Sequence, residues 1–321
     1  MSDTSQAPAD RHRPSAAAIL VVPLAVALVL TLFAWPAARL EPRDLPVGVA
    51  GPAAAADAIE RRLSTRPGAF DLHRYRNEAA ARGGIEDREV YGAFVATPAG
   101  PKALVASAAS PAVAQLITRA ANEQPGRVPV EDVVAAPPAG GALASSVLPL
   151  VLAGILTGVA AAALASRALA RAGLLVVGSV LAGLASTAIV QSWLDVVGGA
   201  WAANAAVLSL TVLAIASVVA GFEALLGKAG AIVAALVMVL IGNPFSGVGS
   251  APELLPQPVG AIGQLLPPGA GGNLLRSTGF FDGAGAGDKV VVLVAWTLLG
   301  LGALFAAGVR DRRPVGELAR A

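Results

Sequence analysis

Six stretches of this sequence carry no Asp, Glu, Lys or Arg: residues 14–38, 145–166, 172–194, 196–222, 229–252 and 290–309. A helix needs roughly 20 apolar residues to cross about 30 Å of hydrocarbon, and lipid forces the backbone to satisfy its own hydrogen bonds. Each stretch is therefore expected to be a transmembrane helix. The segment between the first two is polar and long enough to fold by itself. The expected fold is an α-helical polytopic membrane protein with six transmembrane helices and an extracytoplasmic α/β domain between helices 1 and 2. The boundaries are a cytoplasmic tail at 1–14, helix 1 at 15–35, the soluble domain at 36–142 and a five-helix domain at 143–310. That last domain includes an external apolar loop at 249–289, and a cytoplasmic tail follows at 311–321.

Composition agrees with this reading, at 55% hydrophobic and 14% charged residues. A pI of 9.4 raises the question of nucleic acid. The segment 36–142, however, holds twelve Lys/Arg against twelve Asp/Glu, so it offers no basic face to a phosphate backbone, and no nucleic-acid partner is expected. The basic excess sits at Arg11, Arg13, Arg167, Arg171, Lys228, Arg310, Arg312, Arg313 and Arg320, at alternate ends of the expected helices. Only Arg276 and Lys289 fall in connections on the other side. By the positive-inside rule both termini are cytoplasmic and the soluble domain is outside. The chain is read as a multi-pass protein of a bacterial plasma membrane, since Arg far exceeds Lys and Ala, Gly and Pro abound. The first apolar run lacks a small-x-small cleavage site around Phe33-Ala34-Trp35-Pro36, so it is read as an uncleaved helix ending near Trp35. With no cysteine, the soluble domain folds without disulfides.

Within that domain strand and helix signals alternate, which predicts a small α/β fold. Strands are expected at 46–50, 69–75, 89–97, 102–107 and 128–134. Gly51-Pro52 opens a helix with Ile59 and Leu63 on one face. A second helix runs from Asn77 to Arg82, closed by Gly83-Gly84. Ser110 is the N-cap of a third, with Pro111 in its first turn and Val113, Leu116, Ile117 and Ala120 at helical spacing. The loop 249–289 combines many prolines and glycines with Leu265-Leu266, Leu274-Leu275 and Phe280-Phe281. Such a loop is expected to form short helices against the membrane or the bundle rather than float in water.

Chemistry has few candidates. The only histidines are His12 and His73, and no HExxH spacing occurs, so no metal, cofactor or catalytic residue is assigned and the chain is not expected to be an enzyme. Gly221 with Gly227-Lys228 imitates a phosphate-binding loop, but five residues intervene where four are required, and Ala229 stands where Ser or Thr would hold the metal. Asp195 and Glu223 are the acids of the helical region before the last loop. Both lie near an interface and read as anchors, Glu223 within reach of Lys228, in preference to proton or substrate groups. A transport path would have only Thr157, Ser179, Ser186, Thr187, Gln191, Asn204 and Asn243 to line it, which favours a hydrophobic cargo. Gly154 and Gly158, and Gly302 with Ala306, permit close helix approach within the chain or at a dimer seam.

One helix, a large external domain and five further helices, with an apolar loop before the last, resemble permeases of the ABC-2 exporter type. The branch is that of the YhgE/Pip (phage-infection-protein-like) membrane proteins. The likeness is carried by Leu45-Pro46-Val47-Gly48-Val49-Ala50, by Asp87 to Val95 with Ala106 to Pro111, and by Leu265 to Ala270 with Asn273-Leu274-Leu275-Arg276. The resemblance implies a homodimeric permease embedded in the lipid bilayer and powered by a separate cytoplasmic ATPase, which it would meet through the connection Ser166–Gly173. Arg167 and Arg171 are the candidate contacts, since guanidinium groups pair well with carboxylates. The alternative is an envelope scaffold or receptor whose external domain binds a partner.

Overall fold

The computed structural model describes residues 16–124 and 128–310, with side chains from Leu20 onward. The two tails fall outside these residues, as do the basic positions in them. The chain is a helical membrane protein with an α/β domain set between its first helix and the rest. Five helices are long and apolar enough to cross a membrane. They are α1 (Ala16–Ala38), α5 (Leu143–Leu164), α6 (Ala168–Thr187), α7 (Trp201–Leu226) and α11 (Gly287–Arg310). Helix α1 runs past Trp35-Pro36 to Ala38, three residues beyond its expected end.

The fifth expected helix is shorter than the sequence implied. The stretch 229–252 forms α8 (Lys228–Val237) and a π-helical turn, Met238–Gly242. At 1.5 Å per residue these fifteen residues reach roughly 22 Å, short of the hydrocarbon thickness. Pro244 then supplies no N–H, and Gly247 turns the chain with φ 65°. The following residues fold back as α9 (Val259–Gln264) and α10 (Pro267–Phe280). Helix α10 is buried along almost its whole length and packs against α7, α5 and the π turn after α8. The apolar loop covers part of its large side chains: Leu266, Leu274, Leu275 and Phe281 are buried and Phe280 is half-buried, while Ile262 and Leu265 are left outside.

Helix α7 is the axis of the bundle. Of its apolar span 72% is buried, against 28% for α5, α6 and α11 and 6% for α1. The neighbours reach it through glycine. A Cβ on Gly154 or Gly158 of α5 would run into Ile215, Ala216 or Val219, and one on Gly300 of α11 would enter the backbone of Ser217. Gly302, by contrast, faces open space, so the second small-residue pair is not part of this seam.

The α/β domain carries a five-stranded sheet in the order β2-β1-β3-β4-β5. Its strands are β1 (Leu45–Ala50), β2 (Phe70–Tyr75), β3 (Gly92–Thr97), β4 (Gly100–Val105) and β5 (Val130–Asp132). Strand β1 is parallel to both β2 and β3, β4 is antiparallel to β3, and β5 is parallel to β4. Because β2 and β3 lie on opposite sides of β1, right-handed crossovers put α2 (Ala53–Leu63) and α3 (Glu78–Glu86) on opposite faces. Helix α4 (Pro111–Asn122) joins α2, bridged by Arg62 to Gln124 at 2.7 Å. Ser110 caps α4 as expected, accepting from the Val113 amide. Gly83-Gly84 does not close α3, which continues to Glu86; Gly84 makes room for the Tyr75 ring, where a Cβ would collide with its hydroxyl.

The two cores of the sheet domain do not end at its boundary. One includes Ala251 and Leu254, the other Phe281, all from the segment between α8 and α11. The domain is thus seated on the bundle by shared apolar packing. For the bundle itself, Gly300→Ala is expected to cost about 1–3 kcal/mol by forcing α11 from α7. Gly302→Ala, in open space, should leave the thermal midpoint in detergent unchanged or raised. Equal effects at the two positions would contradict the assigned seam.

Candidate functional site

Three places in the fold gather unusual side chains. The first is an apolar cavity of about 340 Å³ among α5, α6, α7 and α10. Its walls are Val147, Leu150 and Val151 of α5, Val190 of the π turn, Leu208 of α7, and Pro268, Gly271, Gly272 and Leu275 of α10. Ser145, Ser146, Ser186 and Thr211 are its only hydroxyl-bearing residues. Ile189 and Leu194, each 45% exposed, also line it, so its wall reaches the outer surface of the bundle there. The π turn Ala188–Trp193 at the end of α6 shapes this side. Such single π turns recur at functional positions in helices.

Of the seven polar residues expected along a path, Ser186 alone lines this cavity. Gln191 and Asn204 are used elsewhere. Asn204 Nδ2 donates to Gln191 Oε1 at 2.9 Å and to the Gly198 carbonyl, and Thr278 Oγ1 donates to Asn204 Oδ1 at 2.6 Å. This chain ties the α6–α7 connection to α10. Asp195 lies in the same connection, exposed and with φ 49°, and among the described residues it makes no ion pair.

The second place is the seam between the sheet domain and α10. Arg276, 3% exposed, donates to Asn273 Oδ1 at 3.0 Å and to the Val248 carbonyl at 2.8 Å. No carboxylate lies within ion-pair distance of it among the described residues, and its Nε has no partner there. Burial, and then the neighbouring charge of Arg88, push its pKa down to about 10, which leaves it charged at neutral pH. From the other side Arg88, in a left-handed turn with φ 61°, donates to the Asn273 carbonyl at 3.1 Å and to Ser277 Oγ. Its guanidinium lies 5.3 Å from the centre of the Phe281 ring, a cation–π distance. Tyr91 Oη donates to Glu253 at 2.8 Å, and burial first, then that carboxylate, raises the tyrosine well above its ordinary range. Ser110 Oγ adds a bond to the Ser250 carbonyl. Arg88, Tyr91, Glu253, Gln264 and Asn273 line a polar cavity of about 290 Å³ at this seam. No local sequence signal marks Arg88 or Tyr91 as seam residues. The available signal was Arg276, a lone cation amid apolar residues on the side where cations are scarce.

The third place is the opposite end of the bundle. Arg171 and Glu223, proposed for different roles from sequence, are brought together there: Arg171 Nη1 donates to Glu223 at 2.8 Å. Arg171 also donates to the carbonyls of Ala162 and Ala165, so it closes the end of α5 onto the start of α6. Its guanidinium thus already has three partners inside the chain, while the side chain stays part-exposed. Glu223 pairs with Arg171 instead of Lys228. Arg167, at the N-cap of α6, is exposed, as are Lys228 and Arg310 at the same end.

Among the described residues no group of His, Asp and Glu is placed to hold a metal ion. Comparison with family models, curated proteins and solved structures finds no match to this chain. What the fold defines is a class, a multi-pass helical membrane protein bearing an α/β domain.

Proposed function

We propose that this chain is the membrane permease subunit of an ABC-2 type exporter, moving a hydrophobic or envelope-related substrate. On this reading it works as a homodimer powered by a separate ATPase in a bacterial plasma membrane. The observation that carries the reading is the apolar cavity. It lies between membrane helices, has few hydroxyls in its walls, and reaches the outer surface of the bundle. Apolar pockets with a few polar groups are the usual form of a hydrophobic-ligand site.

Orientation follows from charge. The end of the bundle with exposed Arg167, Lys228 and Arg310 lies opposite the sheet domain, so the positive-inside rule puts that end in the cytoplasm and the domain outside. Arg167 is then the residue of the α5–α6 connection left to face an ATPase. In intact cells an impermeant thiol reagent should label Ala80→Cys and spare Ala168→Cys in this cysteine-free chain. The reverse pattern would overturn the orientation.

The function is tested by purifying the tagged chain in mild detergent. An ATPase should come with it, and an apolar fluorescent probe should bind. Val190→Phe, which fills the cavity, should weaken that probe roughly tenfold while leaving the fold intact. No ATPase and no effect of Val190→Phe would contradict the permease reading and favour an anchored scaffold or receptor.

A further inference from the structure

The sheet domain carries a second large hollow, of about 770 Å³, between α2, α4 and the start of β2. Its floor is apolar: Leu63, Phe70 and Leu116 are half-buried and Leu254 is buried. Its rim is basic. Arg62, Arg66 and Arg119 are all exposed, and among the described residues none has a carboxylate within ion-pair distance; Glu123 is the one acid in the lining. Elsewhere in the domain Arg74, Arg82 and Lys102 are each held between two carboxylates, while Arg61 and Arg76, outside the hollow's lining, are exposed and like the rim arginines have none among the described residues. The rim thus gathers three arginines against one acid in a domain whose charges balance overall.

The hollow lies at the membrane surface. Leu40, in its wall, follows the end of α1 by two residues. The same connection is pinned to the bundle: the Glu41 amide donates to the Leu254 carbonyl at 3.1 Å and the Arg43 amide to the Glu253 carbonyl at 3.0 Å. Only 6% of the apolar span of α1 is buried, so this helix stands clear of the rest of the chain, with an apolar surface suited to lipid, nearly to the point where the hollow opens.

We propose that this groove binds an anionic lipid of the adjacent leaflet, its phosphate on the arginine rim and its glycerol and first acyl carbons on the leucine and phenylalanine floor. The planar guanidinium fork matches phosphate oxygens, and basic groups at a bilayer surface attract anionic headgroups. A free anion would leave the apolar floor exposed, and an apolar protein segment would leave Arg66 and Arg119 without a carboxylate and Arg62 with only the Gln124 amide oxygen. Lipid chemistry satisfies both. This inference is independent of transport: the groove binds lipid whether or not the chain moves a substrate.

The test uses the full chain in phosphatidylcholine nanodiscs doped with phosphatidylglycerol that carries a photoreactive acyl chain. Cross-links mapped by mass spectrometry should fall on Leu40, Leu63, Phe70 or Leu116. Arg66→Gln with Arg119→Gln should lower apparent affinity by about thirtyfold at an unchanged melting midpoint. A photoreactive phosphatidylcholine should show no enrichment in the groove, and excess inorganic phosphate should not displace the anionic lipid. Equal labelling by the two lipids, labelling unaffected by the double substitution, or displacement by inorganic phosphate would overturn the proposal. The phosphatidylcholine comparison needs no variant, so it decides even if the double substitution harms folding. Loss of ATPase association, with groove labelling intact, would sink the permease reading and leave this one standing.

Discussion

The structure turns on one buried charge. Arg276 sits on a fourteen-residue helix enclosed by protein, without a carboxylate beside it among the described residues. A cation taken from water is costly unless its donors are satisfied, so the surrounding backbone is arranged to supply oxygen. Val248 gives its carbonyl and Asn273 its side chain. Asn273 is in turn fixed by Gln264, and Gln264 by the Ser246 carbonyl. This relay explains how a segment with so many prolines and glycines acquires one conformation, and why the chain after the π turn folds back against the bundle.

The two faces of α10 then serve different neighbours. Pro268, Gly271, Gly272 and Leu275 recur at helical spacing and wall the apolar cavity. Asn273 and Ser277, on the opposite face, receive Arg88 from the sheet domain. The domain and the cavity thus share a single rigid wall. Arg88 therefore meets one face of the helix whose other face bounds the cavity.

Much of this was legible in the sequence. The alternation of strands and helices in the sheet domain followed from Gly51-Pro52, from the Ser110 cap and from the spacing on α4, because those signals are local. The length of α8 was not legible. Charge-free residues continue through Pro252, and only the break at Pro244 and Gly247, together with the tertiary packing of α10, ends the helix early. The Arg171–Glu223 pair also escaped, since it joins residues 52 positions apart that sequence assigned to separate tasks. The seam residues Arg88 and Tyr91 were hidden for the same reason: each looks like a surface residue of a small domain until α10 is set against it.

Arg88 ties the sheet domain to α10, and through that helix to the wall of the cavity. Hydrogen exchange of the detergent-solubilised Arg88→Gln variant measures this directly. Faster exchange is expected across residues 267–281 and in the cavity-lining turns of α5 and α6, with the sheet itself protected as before. Faster exchange confined to residues 85–91 would contradict it.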